Sequence, residues 1–191
     1  MTLRHALSRH KAPRQKIHEL IKAGTITRVK KGLYVFPPML NREPVCLEVL
    51  ANLIYGPSCL SLEYALSYYG LIPERVVELT SVTPKRNKLF STPVGRFRYR
   101  YLSPTRYPHG VDRVMLDPRH PVLMATPEKA LCDYIVLRPA ITLTDRRSVH
   151  QFLSDDLRME PEQWKGLSKK MLSKLVAAYK DARLDVLRLA L

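Results

Sequence analysis

An α+β fold is predicted by three features of the sequence. A short amphipathic helix runs straight into a β-ribbon near the N-terminus, alternating strand-like segments fill the middle, and helical periodicity dominates the end. Together they predict a small N-terminal unit over residues 1–40 and a larger mixed α/β unit over residues 44–191 that ends in helices. At 191 residues a chain buries about 70% of its extended surface, enough for a real core without disulfide staples.

Pro13 fixes φ near the helical value and gives up only an N–H that a first turn leaves unpaired, so it predicts the first helical residue. Gly24 ends the helix. Between them Ile17, Leu20 and Ile21 follow the i, i+3, i+4 spacing of one apolar stripe, while Gln15, His18 and Lys22 project to the other side within roughly 60° of one another. Thr25 to Val29 is rich in β-branched residues, Lys30-Lys31-Gly32 supplies a turn, and Leu33 to Phe36 completes two short strands before Pro37-Pro38. A helix that packs by one face and leads into a lysine-tipped ribbon has the form of a winged helix-turn-helix. In that form the helix enters a major groove and the wing lies along phosphates. An ordinary solvated helix and hairpin share the local pattern, so composition has to weigh between them. Residues 2–9 can form an earlier helix with Leu3 and Leu7 one turn apart, but only twelve residues precede Pro13. Either the first helix of a helix-turn-helix is missing or the following unit supplies its packing.

A polar turn from Asn41 to Pro44 marks the boundary. Pro44 to Tyr55 predicts a helix with Val45, Val49, Leu50 and Leu53 on one face, ended by Gly56-Pro57. Ser58 and Ser61 are both candidate N-caps for a helix from Leu62 to Tyr69 that Gly70 stops. Glu78 to Thr83 and Gly95 to Leu102 alternate as strands do, the second with Phe97, Tyr99 and Tyr101 on one face and Arg96, Arg98 and Arg100 on the other. Val111 to Met115 and Val122 to Ala125 are further strands around the turn Asp117-Pro118-Arg119-His120-Pro121. Thr126-Pro127-Glu128 opens a helix with an N-cap, a first-position proline and an anion where the helix dipole favours one; it stops before Pro139. Asp145 to Leu157 and Ser168 to about Ala190 are predicted helical, the last with Leu172, Leu175, Val176, Tyr179, Ala182 and Val186 facing the core.

The formal net charge of +15 is unevenly spread. Residues 1–43 carry ten Lys/Arg against Glu19 and Glu43, a net of +8. Residues 44–84 carry Arg75 against Glu48, Glu63, Glu74 and Glu78, a net of −3. Residues 85–106 carry Lys85, Arg86, Lys88, Arg96, Arg98, Arg100 and Arg106 with no acid, a net of +7. Two such blocks point to a polyanionic partner, because a potential of this sign steers association and neutralises phosphates. A generally basic protein would explain the total and not the clustering. The ladder Arg96, Arg98, Arg100 itself has two readings: an outward phosphate- or partner-binding stripe beside Lys85, Arg86 and Lys88, or a row of charges offset by acids such as Glu63 or Glu78.

Cys46, Cys59 and Cys132 are odd in number, apart and in apolar contexts, which suits buried thiols in a reducing cytoplasm and gives no metal-ligand spacing. No apolar run approaches the length of a membrane span, and Met-Thr-Leu-Arg-His lacks the apolar block of a signal peptide, so a cytoplasmic protein without membrane contact is expected. No Gly-rich phosphate loop, HExxH or GxSxG element is present, which predicts no catalysis, metal or cofactor. The competing expectations are a nucleic-acid-processing enzyme around His109, Asp112 and Asp117, and an RNA-binding accessory protein that uses basic patches with tyrosines.

Three blocks in order, Ile17-His-Glu-Leu-Ile-Lys-Ala-Gly-Thr-Ile-Thr-Arg-Val-Lys-Lys-Gly-Leu-Tyr34, Leu60-Ser-Leu-Glu-Tyr-Ala-Leu-Ser-Tyr-Tyr-Gly-Leu-Ile-Pro-Glu74 and Ala125-Thr-Pro-Glu-Lys-Ala-Leu-Cys-Asp-Tyr-Ile135, resemble the AbiEi antitoxins and transcriptional regulators of bacterial abortive-infection systems. The resemblance implies an N-terminal winged helix that represses its own operon at inverted repeats upstream. It further implies a C-terminal domain that counteracts a nucleotidyltransferase-like toxin of the same operon without a stable complex. Carried onto this sequence, the DNA-reading positions are Arg14, Gln15, Lys16 and His18, with Arg28, Lys30 and Lys31 on the wing; Lys22 shares the exposed face. Lys85, Arg86, Lys88, Arg96, Arg98 and Arg100 form the candidate antitoxin surface.

Overall fold

The structure is a computed structural model that describes residues 7, 10–37, 40 and 44–191. The expected helix over residues 2–9 lies outside these apart from Leu7, as does the turn from Asn41 to Glu43. The chain is a mixed α+β protein with two sheets. Helix α1 (Pro13–Lys22) starts at its proline and turns at Gly24 into an antiparallel ribbon, β1 (Thr27–Lys30) and β2 (Leu33–Val35). The ribbon belongs to the main core: Val29 is buried in it, and Leu33 and Val35 pack against it. The boundary read near residue 44 is therefore one of sequence, across which the two parts share a core.

Six strands make the main sheet: β3 (Cys59–Leu60), β4 (Leu79–Thr83), β5 (Lys88–Thr92), β6 (Gly95–Tyr101), β7 (Val111–Met115) and β8 (Pro121–Ala125). Their order is β5-β6-β4-β3-β8-β7, mixed in direction, with β4 parallel to β6 and β3 parallel to β8. β4 is buried at every position because it sits inside the sheet with both faces covered. On one face lies α2 (Leu47–Ile54), held by the Tyr99 hydroxyl donating to the Ala51 carbonyl at 2.6 Å. Asn52 adds a pair of bonds to the main chain of Leu123, at 3.3 and 2.7 Å. The opposite face carries α3 (Leu62–Tyr68) and α4 (Pro127–Val136). Then come α5 (Arg146–Gln151), which runs into a π-helical turn over Phe152–Asp156, α6 (Pro161–Lys165), α7 (Lys169–Tyr179) and α8 (Ala182–Ala190). α7 and α8 pack on α4, and α5 on α8. Among the described residues no helix is long and apolar enough to cross a membrane.

Several expectations are corrected. The helix expected from Pro44 begins at Leu47, so its buried residues are Leu50, Ala51 and Ile54, and Leu53 is exposed. The single helix expected over residues 168–190 is two: Lys180 adopts φ +50°, and Asp181 recaps the chain by accepting from the Arg183 N–H at 3.1 Å. That break exposes Ala182, leaves Val186 half-buried, and puts Leu184, Leu187 and Ala190 in the core instead. Ser58 caps nothing, and Ser61 stands at the N-cap of α3 with its hydroxyl used elsewhere. Strands β3 and β5 and helix α6 were not expected. The caps at Thr126 and Gly70 are present as read, Thr126 Oγ1 accepting from the Lys129 N–H at 3.3 Å and Gly70 holding φ +66°.

Ser61 donates instead to Asp133 at 2.7 Å, in a polar cluster with no solvent access. Lys129, one turn before Asp133 on α4, donates to Asp133 at 3.3 Å and to the Tyr179 hydroxyl at 2.7 Å; Tyr179 in turn donates to Asp133. Burial beside Asp133 drives the Tyr179 phenol far above its usual range, so it stays a donor. Removing one member of an enclosed ion pair strands the other charge. Asp133→Ala should therefore cost about 3–5 kcal/mol, whereas Lys129→Met with Asp133→Leu should recover at least half of that loss. Chemical denaturation of the two variants tests the point; equal losses would show that the charges are not what the site depends on.

Candidate nucleic-acid interface

The apolar stripe of α1 is half-buried, Gln15, His18 and Lys22 on its other side are exposed, and Arg14 in the first turn is exposed as well. Lys16 is half-buried and pairs with Glu19 at 3.4 Å, so part of its charge is answered within the helix. On the ribbon, Arg28 and Lys31 are exposed, and Gly32 makes the turn with φ +86°. Lys30 behaves differently: its ammonium donates to the carbonyl of Ile54, at the last turn of α2. The C-terminal end of a helix carries unpaired carbonyls and partial negative charge, a natural seat for a cation.

A second lysine arrives at the same place from the other basic block. Lys85 donates to the Gly56 carbonyl at 2.5 Å, with its ammonium 5.5 Å from the centre of the Tyr55 ring. Lys30 and Lys85, far apart in sequence, thus bond to carbonyls on either side of Tyr55 in the chain, which brings the ribbon tip and the start of the second basic block together. Beside Lys85 lies an open groove of about 750 Å³ lined by Tyr55, Pro84, Lys85, Arg86, Asn87 and Tyr101. Arg86 and Lys88 are exposed, Lys88 lying 5.9 Å from the centre of the Phe90 ring on the edge strand β5. This convergence has no signature in the sequence beyond the Gly56-Pro57 stop, which leaves carbonyls waiting for a donor.

Two rungs of the arginine ladder, Arg96 and Arg98, take the second of its two readings. Arg98 holds Glu78 with two bonds, at 2.5 and 3.2 Å, and Arg96 reaches the same carboxylate at 3.3 Å. Arg100 donates to the Leu137 carbonyl at 3.4 Å. Tyr101, expected on the buried side with Phe97 and Tyr99, is exposed. The arginines face the side of the sheet that α3 and α4 cover, and Glu63 there is taken by Arg138. A cavity of about 390 Å³ on that side is lined by Glu63, Glu74, Glu78, Asp156, Arg98 and Tyr134 among others, with Glu74 paired to Arg158.

The residues of the enzyme alternative, His109, Asp112 and Asp117, all lie on the surface. His109 and Asp112 are exposed, and Asp117 is bonded to His120 at 2.6 Å, which holds its carboxyl below the usual range. The Ser61, Lys129, Asp133, Tyr179 cluster has nucleophile-like chemistry but is closed to solvent. Cys59 and Cys132 are buried and Cys46 half-buried; burial pushes the Cys59 thiol up to about 12. Among the described residues no group of three or more His, Cys, Asp or Glu is placed to hold a metal ion.

No family model matches the chain, and no curated protein matches it.

Because Glu78 already serves Arg98, reversing that arginine sets two carboxylates side by side. Arg98→Glu should lower stability by about 1 kcal/mol, a small figure because both side chains are partly solvated. Arg86→Glu, which faces no acid among the described residues, should leave the melting temperature unchanged. Thermal melts of both proteins check the assignment, and an undisturbed Arg98→Glu would mean that the Glu78 pairs contribute nothing.

Proposed function

We propose that the protein is a DNA-binding transcriptional regulator that represses its own operon and acts as an antitoxin against a nucleotidyltransferase-like toxin encoded beside it. The observation that carries the DNA-binding part is the meeting of Lys30 and Lys85 on the carbonyls of Ile54 and Gly56. It joins the exposed face of α1, the ribbon and the Lys85 to Lys88 block into one positively charged surface. A carbonyl positions an ammonium without neutralising it, so both lysines keep their charge for phosphates. Arg14, Gln15 and His18 on α1 read base edges in a major groove; Arg28 and Lys31 contact the backbone. The antitoxin part rests on the sequence resemblance of the three blocks and on this surface as the place where an anionic or nucleic-acid target is met. No side chain is assigned a catalytic role.

Specific binding to the protein's own upstream DNA is the first expected outcome. With about six phosphates neutralised, log K should fall against log salt with a slope near −5. Gln15→Ala should narrow the preference for that DNA over scrambled duplex by about 1–3 kcal/mol if its amide makes a bidentate base contact. Lys31→Ala should weaken all duplexes alike and flatten the slope by about one unit. Anisotropy titrations in which the parent protein shows no preference for upstream DNA at any salt would end the proposal.

A further inference from the structure

Tyr101 is an anomaly that the operator surface does not use. It ends β6, its ring is 47% exposed, and it has no ring partner among the described residues. Its neighbours Phe97 and Tyr99 are buried on the same side of the strand, and Tyr55 is engaged edge-on with Tyr99 at 5.3 Å and tilted against Phe90 at 5.9 Å. The backbone of Tyr101 is nevertheless fixed, its N–H donating to Asn87 Oδ1 at 2.6 Å. A solvent-facing aromatic on a fixed stretch of main chain therefore forms one wall of the groove that Lys85 and Arg86 also line. Arg86 is exposed and has no ion pair among the described residues.

We propose that this groove binds an unpaired nucleotide of a single-stranded nucleic acid, the base stacking on Tyr101 and the flanking phosphates meeting Arg86 and Lys85. The inference rests on the reading of the basic surface as a nucleic-acid interface and names a further ligand for it. Charge complementarity selects a polyanion, and the aromatic wall selects its unpaired form. In a duplex the π faces of the bases are hidden by stacking, and only backbone and groove edges are offered; a strand exposes the faces themselves. Stacking on every kind of base makes the site tolerant of sequence, and the amide group of Asn87 beside the ring supplies donors for a base edge.

The full-length protein is titrated with labelled oligothymidine and oligouridine strands, and in parallel with blunt duplexes of upstream and scrambled sequence. Both strands should bind the parent protein. Tyr101→Ala should weaken strand binding about tenfold while Tyr101→Phe keeps it, and neither should change duplex binding. Arg86→Gln should flatten the strand salt slope by about 0.7. Photocrosslinking of a 5-iodouracil strand to the unaltered protein should mark Tyr101, a readout that does not depend on a variant folding. A parent protein that binds neither strand, crosslinks elsewhere only, or a folded Tyr101→Ala with unchanged strand affinity overturns the proposal. Upstream-duplex preference with Tyr101-independent strand binding defeats this inference and spares the operator reading; Tyr101-dependent strand binding without duplex preference does the reverse.

Discussion

Lys129 and Asp133 have no solvent access, and a charge pair so placed is tolerated only when its remaining donors and acceptors are met. That requirement brings three parts of the chain to one point. α4 supplies the pair, α7 supplies Tyr179, and the turn from β3 into α3 supplies Ser61. Gly110 passes so close that a Cβ there would stand 2.9 Å from the Cβ of Lys129, and its φ of +71° already excludes most side chains. Glu128 beside Lys129 accepts from the Ser168 N–H at 2.8 Å and so fixes where α7 begins. Arg106 closes the outer side, its guanidinium 5.7 Å from the centre of the Tyr179 ring.

The consequences reach the sheet through β3. Leu62 holds φ +59° in the turn that leads from β3 to α3, a conformation a leucine adopts only when its surroundings impose it. Ser61 is tied to Asp133 on one side and, through its carbonyl, to Thr80 Oγ1 at 2.7 Å on the other. Two residues of strand are then enough to sit between β4 and β8, because their position is fixed from outside the sheet. With β3 placed, α3 and α4 cover one face and α2 the other. The arginines of β6 lie on the first of these faces, which is why they find Glu78 and a helix-end carbonyl there.

The legible parts of the fold were those written locally. Pro13, Gly24 and the ribbon turn, the alternation of Gly95 to Leu102, and the Thr126-Pro127 cap each need only neighbours within a few residues, and each is in the structure. Cys59–Leu60 is too short for any periodicity to register, and Lys88–Thr92, with Leu89 and Phe90 side by side, does not alternate. The break at Lys180 is hidden because apolar residues continue at helical spacing on both sides, although Asp181 is a residue type that caps helices. At the interface, Gln15, His18 and Arg28 could be read as exposed from spacing alone. The partners of Lys30 and Lys85 could not, since both depend on where a distant helix ends.

Residues 85–106 look uniformly basic in sequence, yet their charges do unequal work once folded. A carboxylate partner cancels the field of an arginine, as Glu78 does in part for Arg96 and Arg98. A carbonyl partner only holds a cation in place, as at Ile54 and Gly56. Lys30 and Lys85 thus keep their charge unanswered by these contacts, whereas Arg96 and Arg98 share one carboxylate. Both lysines are seated on the same stretch of main chain, so the ribbon and the groove meet where α2 ends. The end of α2 is thus the element that relates α1 and its ribbon to the Lys85 groove.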